Sequence, residues 1–266
     1  MQRLDHIATD PGSHYGLLPR AAAVVPQLMA RLRDASASSK DLTQFVARDV
    51  TLVAEVVRTA NSPYYRRGDA VVELHHAIRA IGVVGLQSAI ARSLLKPVFQ
   101  ASGGALVTRS SKRLWAHTEF KAQLCAALAR IEGIDPFEGY LAGLVHDAVW
   151  SAVLRTLDGV ESAEPWSFNP AIVRALGLRR DRLFEIIAKH WKLSPALTDL
   201  ASDVARRGLL SATSKAGHLL STADRLASLL CVPGQAEWAE AWLARLGPSV
   251  RECYENMLDE SAEFGH

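Results

Sequence analysis

Between residues 141 and 154 the chain reads LAGLVHDAVWSAVL, an almost wholly apolar run that still carries an imidazole and a carboxylate side by side, His146 and Asp147. An ionised carboxylate in such surroundings is expensive unless a charge, hydrogen bonds or a metal ion compensates it. The chain holds nine histidines, so a His-Asp dipeptide means little by itself. Burial says more: Asp147 requires a partner. Helical phase nominates three residues. His117 shares a face with Phe120, Leu124 and Ile131; Asp224 shares one with Leu220, Ala223 and Ala227; His190 follows Ile186, Ile187 and Leu183 by one and two turns. Two histidines, two aspartates and a spare histidine meeting in one core suit a divalent transition metal, because imidazole nitrogen and carboxylate oxygen are ligands for Mn, Fe or Zn. Each residue taken singly also has a plainer reading. His117 or His190 would be a hydrogen-bonded core histidine, and Asp224, followed by Arg225, a half-exposed ion pair.

Such a site needs helices to bring its parts together, and the periodicity is helical nearly throughout. A first helix is expected over residues 19–34, bent at Pro26. Further helices are expected within 38–49, with Ser38 or Ser39 as N-cap, and within 51–62, ending before Pro63. Residues 77–99 read as two helical pieces broken near Gly82 and Gly85. The small, polar segment 100–111 reads as a linker between two helical halves. Helix follows helix beyond it, with a Trp- and Pro-bearing connection after residue 158 and a final pair from 235 to about 260. The expected architecture is all-α, a two-lobed helical bundle. Its parts are a tail at 1–16, a helical lobe at 17–100, a second lobe at 101–232 and C-terminal helices at 233–266.

Bulk properties narrow the function classes. Hydrophobic residues make up 49% of the 266 and charged residues 22%, an ordinary globular balance. A net charge of +2 gives no general attraction to nucleic acid or anionic lipid. The basic doublets Arg66-Arg67, Arg179-Arg180 and Arg206-Arg207 are scattered and read as solvated turns or helix ends. Three cysteines without a CxxC pair suit a reducing compartment. The opening residues lack a signal-peptide layout, and no uninterrupted apolar run reaches the ~18 residues of a membrane span. The expectation is a cytoplasmic protein with neither nucleic acid nor membrane as partner.

Four stretches resemble the HDOD family, the HD-related output domains of bacterial signalling proteins. They are LLPRAAAVVPQLMARLRD; DLTQFVARDVTLVAEVVRTANSPYY, with an acidic turn at Asp49 and Ala60-Asn61-Ser62 before an aromatic at Tyr64; VVELHHAIRAIGVVGLQSAI; and LWAHTEFKAQLCAALAR followed by FEGYLAGLVHDAVW. The likeness runs from about residue 17 to 157, and more weakly to about 230. It implies an all-helical fold related to HD-type metal-dependent phosphohydrolases, with an HD-like C-terminal lobe, used mostly as a regulatory or scaffolding module. The parental ligand order of a His, a His-Asp doublet and a distant Asp falls on His117, His146, Asp147 and Asp224. The sequence departs from the HD-GYP relatives, where Gly-Lys follows the doublet and the Lys helps hold a phosphate. Here Ala148-Val149-Trp150 follows, and the indole could fill substrate space. Lys121 and Arg113 lie four residues either side of His117, a spacing that decides little.

Three functions follow as expectations. The first is a signalling module without turnover, binding a sensor kinase or a cyclic-dinucleotide enzyme through its helical surface. The second is a metal-dependent phosphohydrolase or phosphodiesterase acting on a nucleotide, with the four ligands holding Mn, Fe or Zn. The third is a nucleotide sensor binding near Asn61, Tyr64 and Arg66. Against the third, NSPYY also reads simply as a helix stop, with Asn61 in a turn and Pro63 blocking continuation. The pair His75-His76 reads as surface.

Overall fold

The computed structural model of the chain describes residues 39–62, 65–66, 68–100, 103–158, 170–229, 240, 243–245 and 247–263. Among these residues every regular element is helical, as the periodicity predicts. The α-helices are α1 (Ser39–Ala47), α2 (Val50–Ala60), α3 (Leu74–Gln100), α4 (Ala105–Glu132), α5 (Pro136–Asp158), α6 (Pro170–His190), α7 (Pro195–Arg207), α8 (Lys215–Leu229) and α9 (Pro248–Glu263), with a 3-10 turn at Leu209–Ser211 before α8. The helix expected over 19–34, Tyr64, the connection at 159–169 and much of the first C-terminal helix lie outside the described residues.

Local chemistry explains the boundaries. Asp49 caps α2, its carboxylate accepting from the amides of Thr51 at 2.8 Å and Leu52 at 3.3 Å. The expected break in the third helical segment is a kink at Gly82, whose φ of 65° suits glycine. Segment 100–111 differs from its reading as a linker, because α4 already begins at Ala105. The cause is distant in sequence. Asp158, the last residue of α5, accepts from the amides of Leu106 at 2.8 Å and Val107 at 2.9 Å. This carboxylate satisfies helix N-terminal donors that Gly104, lacking a side chain, leaves open.

α4 and α5 therefore form an antiparallel hairpin fastened at both ends: by Asp158 at the open end, and by the left-handed Gly133 with its amide bonds to Ala129 and Arg130 at the turn. The two helices nearly touch backbone to backbone. A Cβ on Gly139 would lie 2.6 Å from the Cys125 carbonyl oxygen, and one on Gly143 would lie 2.7 Å from the Ala122 Cα. Gly143→Ala is therefore expected to destabilise. The clash costs about 1–3 kcal/mol and outweighs the ~1 kcal/mol that alanine gains in helix propensity. Gly177→Ala in α6, where a Cβ meets nothing within 4 Å, should instead gain up to ~1 kcal/mol. Urea unfolding of the two variants should move in opposite directions.

Around this hairpin the buried apolar side chains of all these helices form one contiguous core. α3 is long and apolar enough to cross a membrane by length and composition alone; its buried face, including Leu86, Ile90 and Leu95, packs into this core, and it carries Arg92. That guanidinium pairs with Glu55 of α2 at 3.1 Å and with Glu119 of α4, tying three helices together.

Candidate functional site

α5 is buried along nearly its whole length, and His146 and Asp147 have no exposed surface. Gly139, Gly143 and Asp147 recur at four-residue spacing, so they form one stripe of α5. The close approach at the glycines brings Asp147 against α4. There its Oδ2 lies 2.9 Å from His117 Nδ1 and 3.3 Å from Thr118 Oγ1, and its Oδ1 receives Lys121 Nζ at 2.7 Å.

α8 delivers Asp224 to the same point. Its placement depends on Asp203 of α7, whose Oδ2 accepts from the amides of Thr213 and Ser214 at 3.1 and 3.0 Å and so fixes the turn entering α8. Leu220, Ala223 and Ala227 are fully buried, as the phase predicts, and Asp224 follows them inward with a side chain 17% exposed. Its Oδ1 accepts from Lys121 Nζ at 2.6 Å. The four residues of the expected metal-ligand set, His117, His146, Asp147 and Asp224, thus belong to one cluster. Ligand atoms of His117, Asp147 and Asp224 lie within 4.8 Å of one another, a spacing that could hold a metal ion.

The centre of the cluster is occupied by Lys121. It has no exposed surface, and its ammonium donates to His146 Nδ1 at 2.7 Å as well as to Asp147 and Asp224. An ammonium has three N–H groups, and each finds an acceptor. Because Nδ1 of His146 accepts, Nε2 carries the proton and faces Asp181 Oδ1 at 3.3 Å, with the ring edge-on to Phe184 at 5.2 Å.

Sequence reasoning discounted Lys121 and overlooked Arg180 and Asp181. Arg180 corrects the reading of its doublet as a solvated turn or helix end. Its side chain is 11% exposed and bonds Asp181 through Nε and Nη2 at 3.0 Å, and it lies 3.7 Å from Asp224 Oδ2. Its guanidinium also stands 5.6 Å from the centroid of the Trp150 ring, so the indole is engaged with a cation. Asp181 reaches the amide of Leu209 at 2.8 Å with its other oxygen, joining the cluster to the turn before α8. A signal was present: Asp181, Phe184 and Ala188 fall on one face of α6, and all are buried.

Other nominations fare differently. His190, nine residues beyond Asp181, sits ~13 Å further along the α6 axis and is not among the groups gathered at Asp147. Ile131, expected on the inner face with His117, is 47% exposed because α4 is ending there. Arg113 is exposed, as are His75 and His76. Asn61 is engaged by the fold: its amide group donates to the carbonyls of Val57 at 2.9 Å and Val71 at 2.7 Å, and its oxygen accepts from the amide of Val71 at 2.8 Å. That clamp supports the helix-stop reading and leaves its side chain committed to the backbone.

The electrostatics follow from the geometry. Burial alone would push Lys121 down, but the Asp147 and Asp224 carboxylates overcome it and hold the ammonium above its ordinary range. Burial alone would raise Asp147, yet Lys121 and then His117 hold it well below the ordinary carboxylate range. Asp224, likewise opposed by burial, is brought down to about 2 by Lys121 and Arg180. Cys125, one turn along α4 from Lys121, is pushed by burial up to about 12 and stays a thiol.

The donor types suit Mn, Fe or Zn, but a metal needs lone pairs. In this arrangement Lys121 engages three of the four nominated ligands, and His117 Nδ1 faces Asp147. The ammonium and a metal ion would compete for the same oxygens and nitrogen.

The sequence profile of the HDOD domain family matches residues 18–205. Among solved structures, the chain resembles an HDOD domain protein of unknown function from Geobacter sulfurreducens, with TM-score 0.62 and 20% identity, covering 90% of this chain and 88% of that one. It also resembles two proteins from Shewanella amazonensis SB2B. One is provisionally named a metal-dependent phosphohydrolase, with TM-score 0.64, 18% identity and 95% and 98% coverage. The other is provisionally named a phosphohydrolase, with TM-score 0.62, 18% identity and 89% coverage of each chain. No curated protein matches the sequence.

Proposed function

The chain belongs to the HDOD domain family, and from that membership we propose a cytoplasmic regulatory module that works without turnover, engaging a signalling protein such as a sensor kinase or a cyclic-dinucleotide enzyme through its helical surface. The observation that carries the absence of turnover is the burial of the doublet. Metal-assisted hydrolysis needs an open coordination position with bound water and cationic groups around the developing phosphate charge. His146 and Asp147 have no exposed surface, and the cations nearest them, Lys121 and Arg180, are engaged with carboxylates of the chain itself.

A second reading keeps one specific observation in its favour: the ligand atoms of His117, Asp147 and Asp224 lie close enough to share an ion. On that reading these residues and His146 hold Mn, Fe or Zn, which would supply Lewis acidity and an activated water toward a nucleotide phosphate. Hydrolysis assays on a panel of cyclic and linear nucleotides, with and without added Mn2+, separate the two. The expected result is no turnover in either condition. Hydrolysis that depends on Mn2+ and disappears in Asp147→Asn, with that variant still folded by circular dichroism, would support the second reading instead.

A further inference from the structure

We propose that Lys121 is the resident cation of this pocket, standing where a metal-dependent relative would hold a divalent ion, and that the folded chain takes up no divalent metal there until that side chain is removed. The inference deepens the reading of the pocket as non-catalytic and shares its premise that the cluster is closed.

Four observations carry it. The first is valence. Three N–H groups meet three acceptors at 2.6 to 2.7 Å, contributed by His146 and Asp147 on α5 and Asp224 on α8. The second is exclusion. A metal would bind the same atoms at ~2.0–2.2 Å and would set a double positive charge against a buried ammonium. The third is charge. Lys121 faces Asp147 and Asp224, and Arg180 faces Asp224 and Asp181. Two single charges on side chains thereby stand in for the two charges of one ion. The fourth is position. Lys121 lies one turn from His117 on the stretch of α4 where the Ala122 backbone abuts Gly143, so its stem starts next to the doublet. Its complete burial shows that the side chain runs inward rather than along the surface.

The test is metal uptake by the intact chain. Wild type, Lys121→Ala and Lys121→Ala/Asp224→Ala are dialysed against Zn2+ or Mn2+, then against metal-free buffer. Bound metal is measured by elemental analysis, and thermal unfolding is followed with and without Zn2+. Wild type should retain no stoichiometric ion and unfold at the same temperature in both conditions. Lys121→Ala should retain about one ion per chain and gain thermal stability with Zn2+, as any ligand of the native state confers. The double variant should lose that gain. Lys121→Met, closer in volume, serves where the alanine variant does not fold, and its recovery in folded form only with Zn2+ present would support the same conclusion. A wild type that retains about one ion per chain, lost on His146→Ala, overturns the inference. So does a folded Lys121 variant that takes up none. Metal retained by the wild type without hydrolysis would defeat this inference and leave the regulatory reading intact. Hydrolysis by metal-free wild type would do the reverse.

Discussion

Asp147→Ala is expected to remove roughly 3–5 kcal/mol of stability, the range for stripping one partner from a buried ion pair. The carboxylate is the meeting point of Lys121, His117 and Thr118, and both it and Lys121 are fully buried. Without it the ammonium keeps only His146 and Asp224, while burial continues to disfavour its charge. Against a total stability of ~5–15 kcal/mol for a domain, that loss is a large fraction, and at the lower end of the range it shows as partial unfolding at room temperature. The loss belongs to the under-compensated ammonium rather than to the missing aspartate, and a second substitution can demonstrate this. Lys121→Met combined with Asp147→Leu should recover much of the stability, because apolar replacement of a buried pair is often neutral or favourable. Urea unfolding followed by circular dichroism measures both. A single-variant loss below ~1 kcal/mol would mean that Lys121 finds water or another acceptor, contrary to the packed geometry.

Acid should destabilise the protein steeply between about pH 4 and pH 2, and the aspartates of the cluster are the reason. A carboxylate whose folded-state value is depressed contributes stability that is complete above its ordinary value and lost as pH falls through the folded one. Asp224 moves from 3.8 to about 2, which is on the order of 2 kcal/mol at ~1.4 kcal/mol per unit. Asp147 is also held well below its ordinary value, by Lys121 and His117, and adds to the same limb. Lys121 is raised, so its share of the same interaction is present below its ordinary value of 10.5 and disappears only as pH climbs past the folded value. Asp224→Asn should therefore lower stability near neutral pH and flatten the acid limb, with a smaller effect on unfolding at pH 2. Unfolding free energies of wild type and variant across pH 2–7 test this, and parallel curves would remove Asp224 from the account.

Much of the fold was legible because it depends on local rules. The 3.6-residue period gives helices, Gly82 gives a kink and Asn61 a stop, and the structure realises each. The doublet was legible for a different reason: a carboxylate in a wholly apolar run must have a partner. The identity of that partner was not legible. Lys121 is on the inward face of α4 with His117, Leu124 and Cys125, but lysine is rarely fully buried, and so its spacing looked uninformative. Arg180 and Asp181 were hidden by the run RRDR, whose four charges look solvated until α6 is docked and only one edge of it proves to face inward. The start of α4 was misread because Asp158, which caps it, lies some fifty residues away. In each case the deciding interaction joins segments distant in sequence, where periodicity carries no information.

The glycine contacts between α4 and α5 have one more consequence. The spacing between residues 117–121 and 146–147 is set by main chain resting on main chain, with Gly139 against Cys125 and Gly143 against Ala122. The polar groups are guests on a mount whose dimensions they did not choose. Such a hairpin should accept one chemistry in place of another, ion for ammonium or either for plain hydrocarbon, and still present its four positions in register. As an engineering scaffold it offers the same freedom: a fixed frame on which the cargo can be rewritten residue by residue.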